Sequence, residues 1–377
     1  MPRTARLASL VAIVLSPLAS LADTPQADQS AAPPAAPAAP AKPPPWYTTI
    51  TLNGLVDGYY QLRLDAAQNA PIVGRSFDGT AGFDLGYAKL SLAMAPAPAG
   101  FRIDIGFGQT ADALDAAAAF SQHSSGFTVG HYVQQAYGAM KFGIVELDLG
   151  RFSTSAGAEV IEAKDNWLYS RSLVFTLEPL THTGLRVTVP VNDALSVILG
   201  ANNGWDAVST TFAGKTGQIS LAYSGPNSTT LAANAYIGEN PTLWSGAQNT
   251  TAQVRTFLDF VAGTSVGPLG LLANFDYATE NGNPWFGGSL EARYSFTGDV
   301  ARITVRGEYV KDSNGARYGT LTDTEVYEGT VGLSYPVGAN SELRLEGRYD
   351  HSSVNIFSNG TPTDGQLTGT LAALAWF

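Results

Sequence analysis

Cysteine is absent from the 377 residues of this sequence. A chain without cysteine forms no disulfide, uses no thiolate nucleophile and offers no cysteine ligand to a metal. Charged residues are also sparse, at 14% of the chain, where a typical soluble protein has about 25%. The formal net charge of -11 argues against a nucleic-acid partner, because phosphate binding requires clustered Lys and Arg.

Long hydrophobic runs are lacking as well. Beyond the N-terminus no run reaches the ~18 apolar residues that a membrane-spanning helix needs. Hydrophobic residues nevertheless make up 45% of the chain, which also contains 40 glycines. A sheet that crosses a bilayer must close into a barrel, because lipid cannot hydrogen-bond to unpaired backbone groups. The composition therefore favours a transmembrane β-barrel.

Residues 1–22 have the pattern of a secretory signal peptide. Arg3 and Arg6 form the basic region, the apolar stretch Leu7–Leu15 is too short to span a bilayer, and Ser20–Ala22 ends in the small-x-small pattern of a cleavage site. A retained amphipathic anchor is the alternative. The first predicted boundary along the chain therefore falls after residue 22.

Residues 23–45 consist almost entirely of Ala, Pro, Gln, Asp and Ser and end in Lys42–Pro45. Such a composition buries little surface and favours extended polyproline II conformations. We interpret the segment as a periplasmic tether, with contact to peptidoglycan as the alternative.

From Thr48 onward, apolar and polar residues alternate. Since side chains of a strand point to opposite faces in turn, this pattern predicts strands with one apolar and one polar face. In the first strand the apolar face holds Ile50, Leu52, Val56, Tyr60, Leu62 and Leu64, and the polar face holds Thr51, Asn53, Asp57, Gln61 and Arg63. Later strands repeat the pattern near residues 286–296, 302–309 and 342–350.

Strand length and connection length separate a membrane barrel from a soluble sandwich. The strands run to about ten residues or more, the tilted crossing length of a bilayer. Short turns are predicted near 96–100, 143–144, 192–194, 225–228, 267–268, 298–299 and 336–340. Longer polar segments are predicted near 65–81, 110–130, 153–182, 203–214, 239–251, 280–285, 312–324 and 351–366, with a short helix at Ala116–Ala119. This alternation predicts about sixteen antiparallel strands, with a range of 12–18.

Aromatic residues group at the two ends of the predicted strands, as expected of interfacial girdles. Phe101, Phe296, Tyr335 and Phe377 fall at the inner rim, and Tyr60, Tyr277, Phe286 and Tyr309 at the outer rim. The terminal Phe377 resembles the C-terminal signature that the barrel assembly machinery recognises in outer-membrane proteins.

The segment 153–182 is longer than an ordinary loop, and loops above about 15 residues are usually functional or disordered. It combines large apolar residues with the charged residues Glu159, Glu162, Asp165 and Arg171. Folding back into the lumen would give its apolar side chains a surface to pack against. We therefore interpret it as a candidate constriction loop.

Inward-facing arginines from neighbouring strands are the candidate partners of these carboxylates. Acidic groups opposite arginines would create a transverse field, since rings of charged side chains are a usual selectivity device. The arginines are Arg63, Arg102, Arg302, Arg306, Arg344 and Arg348. The alternative is that the charges form solvated ion pairs along the wall, as the alternation of Glu342, Arg344, Glu346 and Arg348 allows.

Several stretches share a pattern with known proteins, namely Val56–Tyr60, Gln134–Tyr137, Leu147–Glu159, Asp165–Ser172, Pro179–Arg186 and Asn203–Asp206. Together they resemble the OmpL-like β-barrel porin family. The resemblance is dense from about 134 to 206, and the family's asparagine-rich continuation is replaced here by Val208–Phe212. Membership implies an outer-membrane channel but no particular solute.

Other motifs carry little weight. Gly106–Ala111 matches a dinucleotide-binding fingerprint, but no parallel βαβ unit follows. The histidines His123, His131, His182 and His351 lack metal-ligand spacing, so no metal or cofactor is predicted. A hydrolase is the rival class, with Ser170, Ser172, His182 and Glu178 in one segment but no G-x-S-x-G elbow. A closed structural or adhesin barrel is the third class.

The sequence thus predicts an all-β, antiparallel barrel over residues 46–377 in a bacterial outer membrane. Its expected function is passive diffusion of small hydrophilic solutes or ions through a water-filled lumen, without enzymatic activity. The expected partners are outer-membrane lipid, the barrel assembly machinery through Phe377, and small solutes, with a homotrimer as a possible assembly.

Overall fold

A computed structural model describes residues 46–67, 70–118, 132–209, 214–241, 252–315 and 317–377. The predicted signal peptide at 1–22 and the tether at 23–45 lie outside the described residues.

Sixteen antiparallel strands in the described residues close into one barrel, in which each strand pairs with its neighbours in sequence and the last pairs with the first. The strands are β1 Ile50–Arg63, β2 Gly82–Met94, β3 Ala99–Phe107, β4 Val133–Phe142, β5 Val145–Ser153, β6 Thr181–Pro190, β7 Leu195–Asn202, β8 Thr216–Ser224, β9 Thr230–Pro241, β10 Ala252–Val266, β11 Leu269–Glu280, β12 Asn283–Ser295, β13 Arg302–Asp312, β14 Thr324–Pro336, β15 Ser341–Ser352 and β16 Gly365–Trp376. The predicted fold class and strand number are confirmed.

The helical elements that lie wholly within the described residues are short and fall outside the strands. Helix α1 spans Gln109–Ala118 in the second external connection, so it begins earlier than the predicted helix at Ala116–Ala119. Single 3-10 turns occupy Trp46–Thr49, Ala163–Asp165, Val174–Leu177, Thr297–Asp299 and Ser313–Gly315, and a small ribbon pairs Phe357–Ser358 with Pro362–Thr363. No helix in these described ranges is long and apolar enough to cross a membrane.

The alternation of the strands separates a lipid-facing from a lumenal surface, as predicted. In β1, Leu52 and Val56 are exposed on the outside, whereas Asp57 and Gln61 are buried inside. Because the pattern has period two, each strand contributes apolar side chains to the bilayer and polar side chains to the lumen. The interior of the barrel is therefore lined by hydrogen-bonding and charged groups.

The connections agree with the predicted short turns, but one predicted external segment is wrong. Residues 280–285 are not a long polar loop, because β11 and β12 are joined directly by Asn281 and Gly282. These residues have φ values of 52° and 78°. Asn-Gly favours the two positive φ angles of a type I′ hairpin turn, which extends both strands up to the turn.

Phe377 adds two backbone hydrogen bonds to the pairing that closes the barrel between β1 and β16. The backbone N–H of Phe377 donates to the Gly54 carbonyl at 3.0 Å, and the Gly54 N–H donates to the Phe377 carbonyl at 3.1 Å. The Phe377 ring lies over Gly54, where a Cβ would overlap ring atoms. Glycine at position 54 therefore gives the terminal ring its place against the first strand.

We predict that Gly54→Val destabilises the barrel by about 1–3 kcal/mol, the usual cost of overpacking, because the new side chain displaces the Phe377 ring. The measurement is the temperature at which the folded, fast-migrating band disappears in electrophoresis. Gly138→Val is the matched control, because a Cβ at Gly138 would meet nothing within 4 Å. Equal melting of the two variants would contradict this role for Gly54.

Candidate functional site

The connection between β5 and β6 lies inside the barrel. This lumenal segment, residues 154–180, contacts wall strands on several sides. The Tyr169 hydroxyl donates to Asp57 on β1 at 2.9 Å, and the Ser155 hydroxyl donates to Asn234 on β9 at 3.0 Å. The predicted boundaries 153–182 are slightly wide, because Ser153 ends β5 and Thr181 begins β6.

Apolar packing accounts for part of this position. Leu173, Val174 and Leu177 are buried against Trp285 and Phe257, which point inward from β12 and β10. Burying each such side chain contributes about 1.5–3 kcal/mol. An inward-facing apolar patch in a polar lumen thus gives the segment a surface to pack on.

Hydrogen bonding accounts for the rest. The segment has little regular secondary structure, so its buried carbonyl groups need partners outside itself. Three inward arginines donate to these carbonyl groups, because each guanidinium group carries several N–H donors. Arg344 donates to the carbonyls of Ala163 (2.8 Å) and Leu168 (2.9 Å), Arg348 to that of Arg171 (2.6 Å) and Arg306 to that of Ser170 (2.9 Å).

Wall carboxylates bind the amides of the same segment. Glu308 on β13 accepts a hydrogen bond from the Val174 N–H at 3.1 Å. Glu346 on β15 accepts from the N–H groups of Tyr169 and Ser170, the latter at 3.1 Å. Neither Glu308 nor Glu346 was among the candidate constriction residues, although their inward position between arginines was the signal that could have found them.

Glu159 and Arg306 are the one predicted acid–arginine pair that the structure brings into direct contact, at 3.0 Å. Arg306 also contacts Glu308 at 2.9 Å and Glu328 at 3.2 Å, and its side chain is fully buried. These groups touch across the segment–wall interface, so they hold the segment instead of facing each other across water.

The other candidate residues of the segment have different partners. Glu162 pairs with Lys89 on β2, and although burial opposes ionisation, this ammonium group lowers the pKa of Glu162 below its usual value. Asp165 pairs with the adjacent Lys164 at 2.8 Å. Arg171 turns back on its own segment, donating to the Val160 carbonyl at 3.1 Å.

The remaining candidate arginines bind residues of the wall or of external connections. Arg63 contacts Asp65 at 3.0 Å, Arg102 contacts Asp104 at 3.0 Å, and Arg302 contacts Glu342 at 2.8 Å. The alternative was that lumenal charges pair with one another along the wall. Part of β15 has this arrangement, since Arg348 contacts Asp350 at 2.7 Å.

Water reaches the lumenal charges unequally. The side chains of Arg306 and Arg348 are at most 1% exposed, whereas Arg102 on β3 is 36% exposed and Arg186 on β6 is 18% exposed. Glu162 of the segment faces this second side and is 19% exposed. The segment thus packs against strands around much of the wall, and the partly exposed charges among these are Glu162, Arg102 and Arg186.

The residues considered for a hydrolase each have other partners. The Ser170 hydroxyl accepts from Arg306 at 3.3 Å, and His182 contacts the Gly204 carbonyl at 3.2 Å and Thr154 at 3.3 Å. Glu178 lies beside Asp259 and Asp276. These contacts do not assemble a nucleophile and a base.

Comparison with known proteins agrees with this geometry. A family model described as "Putative beta-barrel porin-2, OmpL-like" matches residues 49–377. No curated protein matches the chain.

Solved barrels share the fold at low sequence identity. The outer membrane channel DcaP of Acinetobacter baumannii has a TM-score of 0.59 at 11% identity, over 87% of this chain and 97% of its own. The trimer form of Vibrio cholerae OmpT has a TM-score of 0.58 at 13% identity, over 87% and 99%. An anion-selective porin of Comamonas acidovorans has a TM-score of 0.54 at 13% identity, over 87% and 99%.

We predict that Arg344→Met loosens the segment, because two backbone carbonyls lose their donor while Glu342 keeps its contact with Arg302. The readout is thiol labelling of Leu168→Cys, a buried position in a chain without native cysteine. Losing a hydrogen bond to a charged group costs about 1.5 kcal/mol. Two such losses cost about 3 kcal/mol, so we expect labelling to accelerate roughly a hundredfold.

Arg302→Met is the matched control, because Arg302 contacts the same Glu342 and otherwise Asp299 at the rim. If both variants label at the native rate, or if the control accelerates as much, Arg344 does not hold the segment.

Proposed function

This chain belongs to the β-barrel porin-2, OmpL-like family, and from that premise we propose that small hydrophilic solutes or ions diffuse passively through its lumen. The protein is a porin-type barrel of the bacterial outer membrane. A barrel of eight strands is filled by side chains, whereas 16–18 strands leave room for an aqueous channel. The observation that carries the proposal is the partial exposure of charged side chains beside the segment, at Glu162, Arg102 and Arg186.

The lumenal segment is proposed to be the constriction of this channel. Its tight contacts with Arg306 and Arg344 supply a fixed edge, and Glu162 lies at the accessible side of that edge. Lys89 on β2 bridges Glu162 and Asp104, so solutes would pass beside this part of the segment, along the partly exposed charges Arg102 and Arg186. A passage bordered by both signs of charge would orient dipolar solutes.

The proposed assembly and partners follow from the outer surface. Exposed apolar side chains cover the outside of the wall and suit lipid, and we propose that the barrel assembly machinery recognises Phe377.

The outer face of β7–β13 contains a depression lined by small residues such as Ala262, Ala273 and Gly288. We propose this face for contact between barrels in a homotrimer, as one of the similar structures is a trimer form.

The experiment for the channel is single-channel recording of the refolded protein in a planar lipid bilayer, combined with swelling of liposomes in small sugars. We expect stable ohmic steps, grouped in threes if the barrels associate, and swelling that slows with sugar size. A folded, heat-modifiable barrel that passes neither current nor sugar would contradict the proposal and favour a closed structural barrel.

Charge on the segment should influence ion preference. We predict that neutralising Glu159, Glu162 and Asp165 together shifts the cation/anion permeability ratio several-fold toward anions. Glu162 and Asp165 are the partly exposed members of the set, and a unit charge about 4 Å from a passing ion contributes roughly 1 kcal/mol in water. The reversal potential under a salt gradient measures the ratio.

The control for this change neutralises Asp323 and Glu325 at the external end of the barrel, where both side chains are partly or largely exposed. An unchanged ratio in the triple variant would mean that the segment is not the selectivity element. A shift of equal size in the control would assign the effect to the external surface.

A further inference from the structure

Two aspartates lie opposite each other on the lumenal face of the barrel wall. Asp259 on β10 lies directly opposite Asp276 on β11, and both side chains are fully buried on the lumenal face. Like charges directly opposite each other destabilise a sheet. This pair therefore requires a compensating group.

Glu178 of the lumenal segment adds a third buried carboxylate. One oxygen atom from each of Glu178, Asp259 and Asp276 lies within 4.8 Å of the others. The segment thus brings a further acidic group to a pair that already requires compensation.

The hydrogen-bond donors that the described residues supply to this cluster are neutral amides. Asp259 accepts from the side chain of Asn234 at 2.6 Å and from the backbone N–H of Gly157 at 3.2 Å. Asn274 donates to Asp276 at 2.9 Å. Within the described ranges, Glu178 Oε2 and Asp276 Oδ2 are buried without any hydrogen-bond partner.

Gly157 gives the third carboxylate its space. This glycine has a φ of 87°, and a Cβ there would overlap the carboxylate of Glu178. The segment therefore passes over the cluster as bare backbone, which lets Glu178 approach the two aspartates.

We propose that Glu178, Asp259 and Asp276 bind a calcium ion that fastens the lumenal segment to the barrel wall. Carboxylate oxygens are the donors that Ca²⁺ prefers, and its flexible shell accepts ligands fixed by a barrel wall, whereas Mg²⁺ demands near-ideal octahedral geometry. Three oxygen atoms that lie within 4.8 Å of one another can all reach one Ca²⁺ ion. One ion would offset the repulsion within the cluster and occupy the oxygens that lack hydrogen-bond partners.

The experiment uses full-length protein refolded in detergent free of lipopolysaccharide, treated with EDTA and desalted. Ca²⁺ binding is measured by titration calorimetry, and Tb³⁺ binding by luminescence excited through the tryptophans. We expect about one site per barrel and a loss of affinity of about tenfold or more in Glu178→Gln and in Asp276→Asn, since ligand charge tunes calcium affinity.

Two further variants make the test specific. Gly157→Ala keeps every charge but places a methyl group where the Glu178 carboxylate lies, so it should also lose affinity. Asp193→Asn removes an exposed carboxylate on the β6–β7 turn and should bind like the native protein. Heat-modifiable mobility establishes that each variant folds, and any one folded ligand variant is sufficient for the comparison.

The proposal is overturned if the native protein takes up no Ca²⁺, or if folded ligand variants bind as the native protein does. It is also overturned if Glu178→Gln and Asp276→Asn melt at higher temperature while Ca²⁺ has no effect on the native protein, because the carboxylates would then share protons. The result is independent of whether the barrel conducts.

Discussion

The arrangement of the lumen depends on one constraint, the need of a buried irregular backbone for hydrogen-bond partners. The segment between β5 and β6 turns inward, where its carbonyl and amide groups cannot pair within a sheet. Arg344 and Arg348 supply donors, and Glu308 and Glu346 supply acceptors. Because these residues lie on regular strands, the segment takes the position that the barrel wall dictates.

The same charges that line a porin lumen therefore have a structural use here. Arg306 contacts Glu159 of the segment as well as Glu308 and Glu328 of the wall, and its burial makes that network costly to break. Charge that remains accessible lies on the other side, near Arg102 and Arg186. Lumenal charges in contact with the segment thus hold it in place, and the accessible charges border the proposed path.

Sequence periodicity was sufficient for the barrel, because period-two alternation assigns Val56 and Asp57 to opposite faces without any tertiary information. The alternation also identified the inward arginines, and the unusual length of the segment marked it as a candidate constriction loop. It could not predict that Arg344 binds backbone carbonyls, since no side-chain pattern encodes that partner. Nor could it bring Glu178, Asp259 and Asp276 together, because strand register and the path of the segment both determine their separation. The missed turn at Asn281 was a local error, since Asn-Gly is itself a hairpin signal.

We propose that the lumenal segment, fastened across the lumen, sets the width of the channel. The most direct test compares the single-channel conductance of the native protein with that of a variant in which residues 159–172 are replaced by a short Gly-Ser linker. We expect a conductance several-fold larger in the variant, which should still fold and keep the electrophoretic mobility of the barrel. Equal conductance of the two folded proteins would contradict it, because the segment would then not limit the passage.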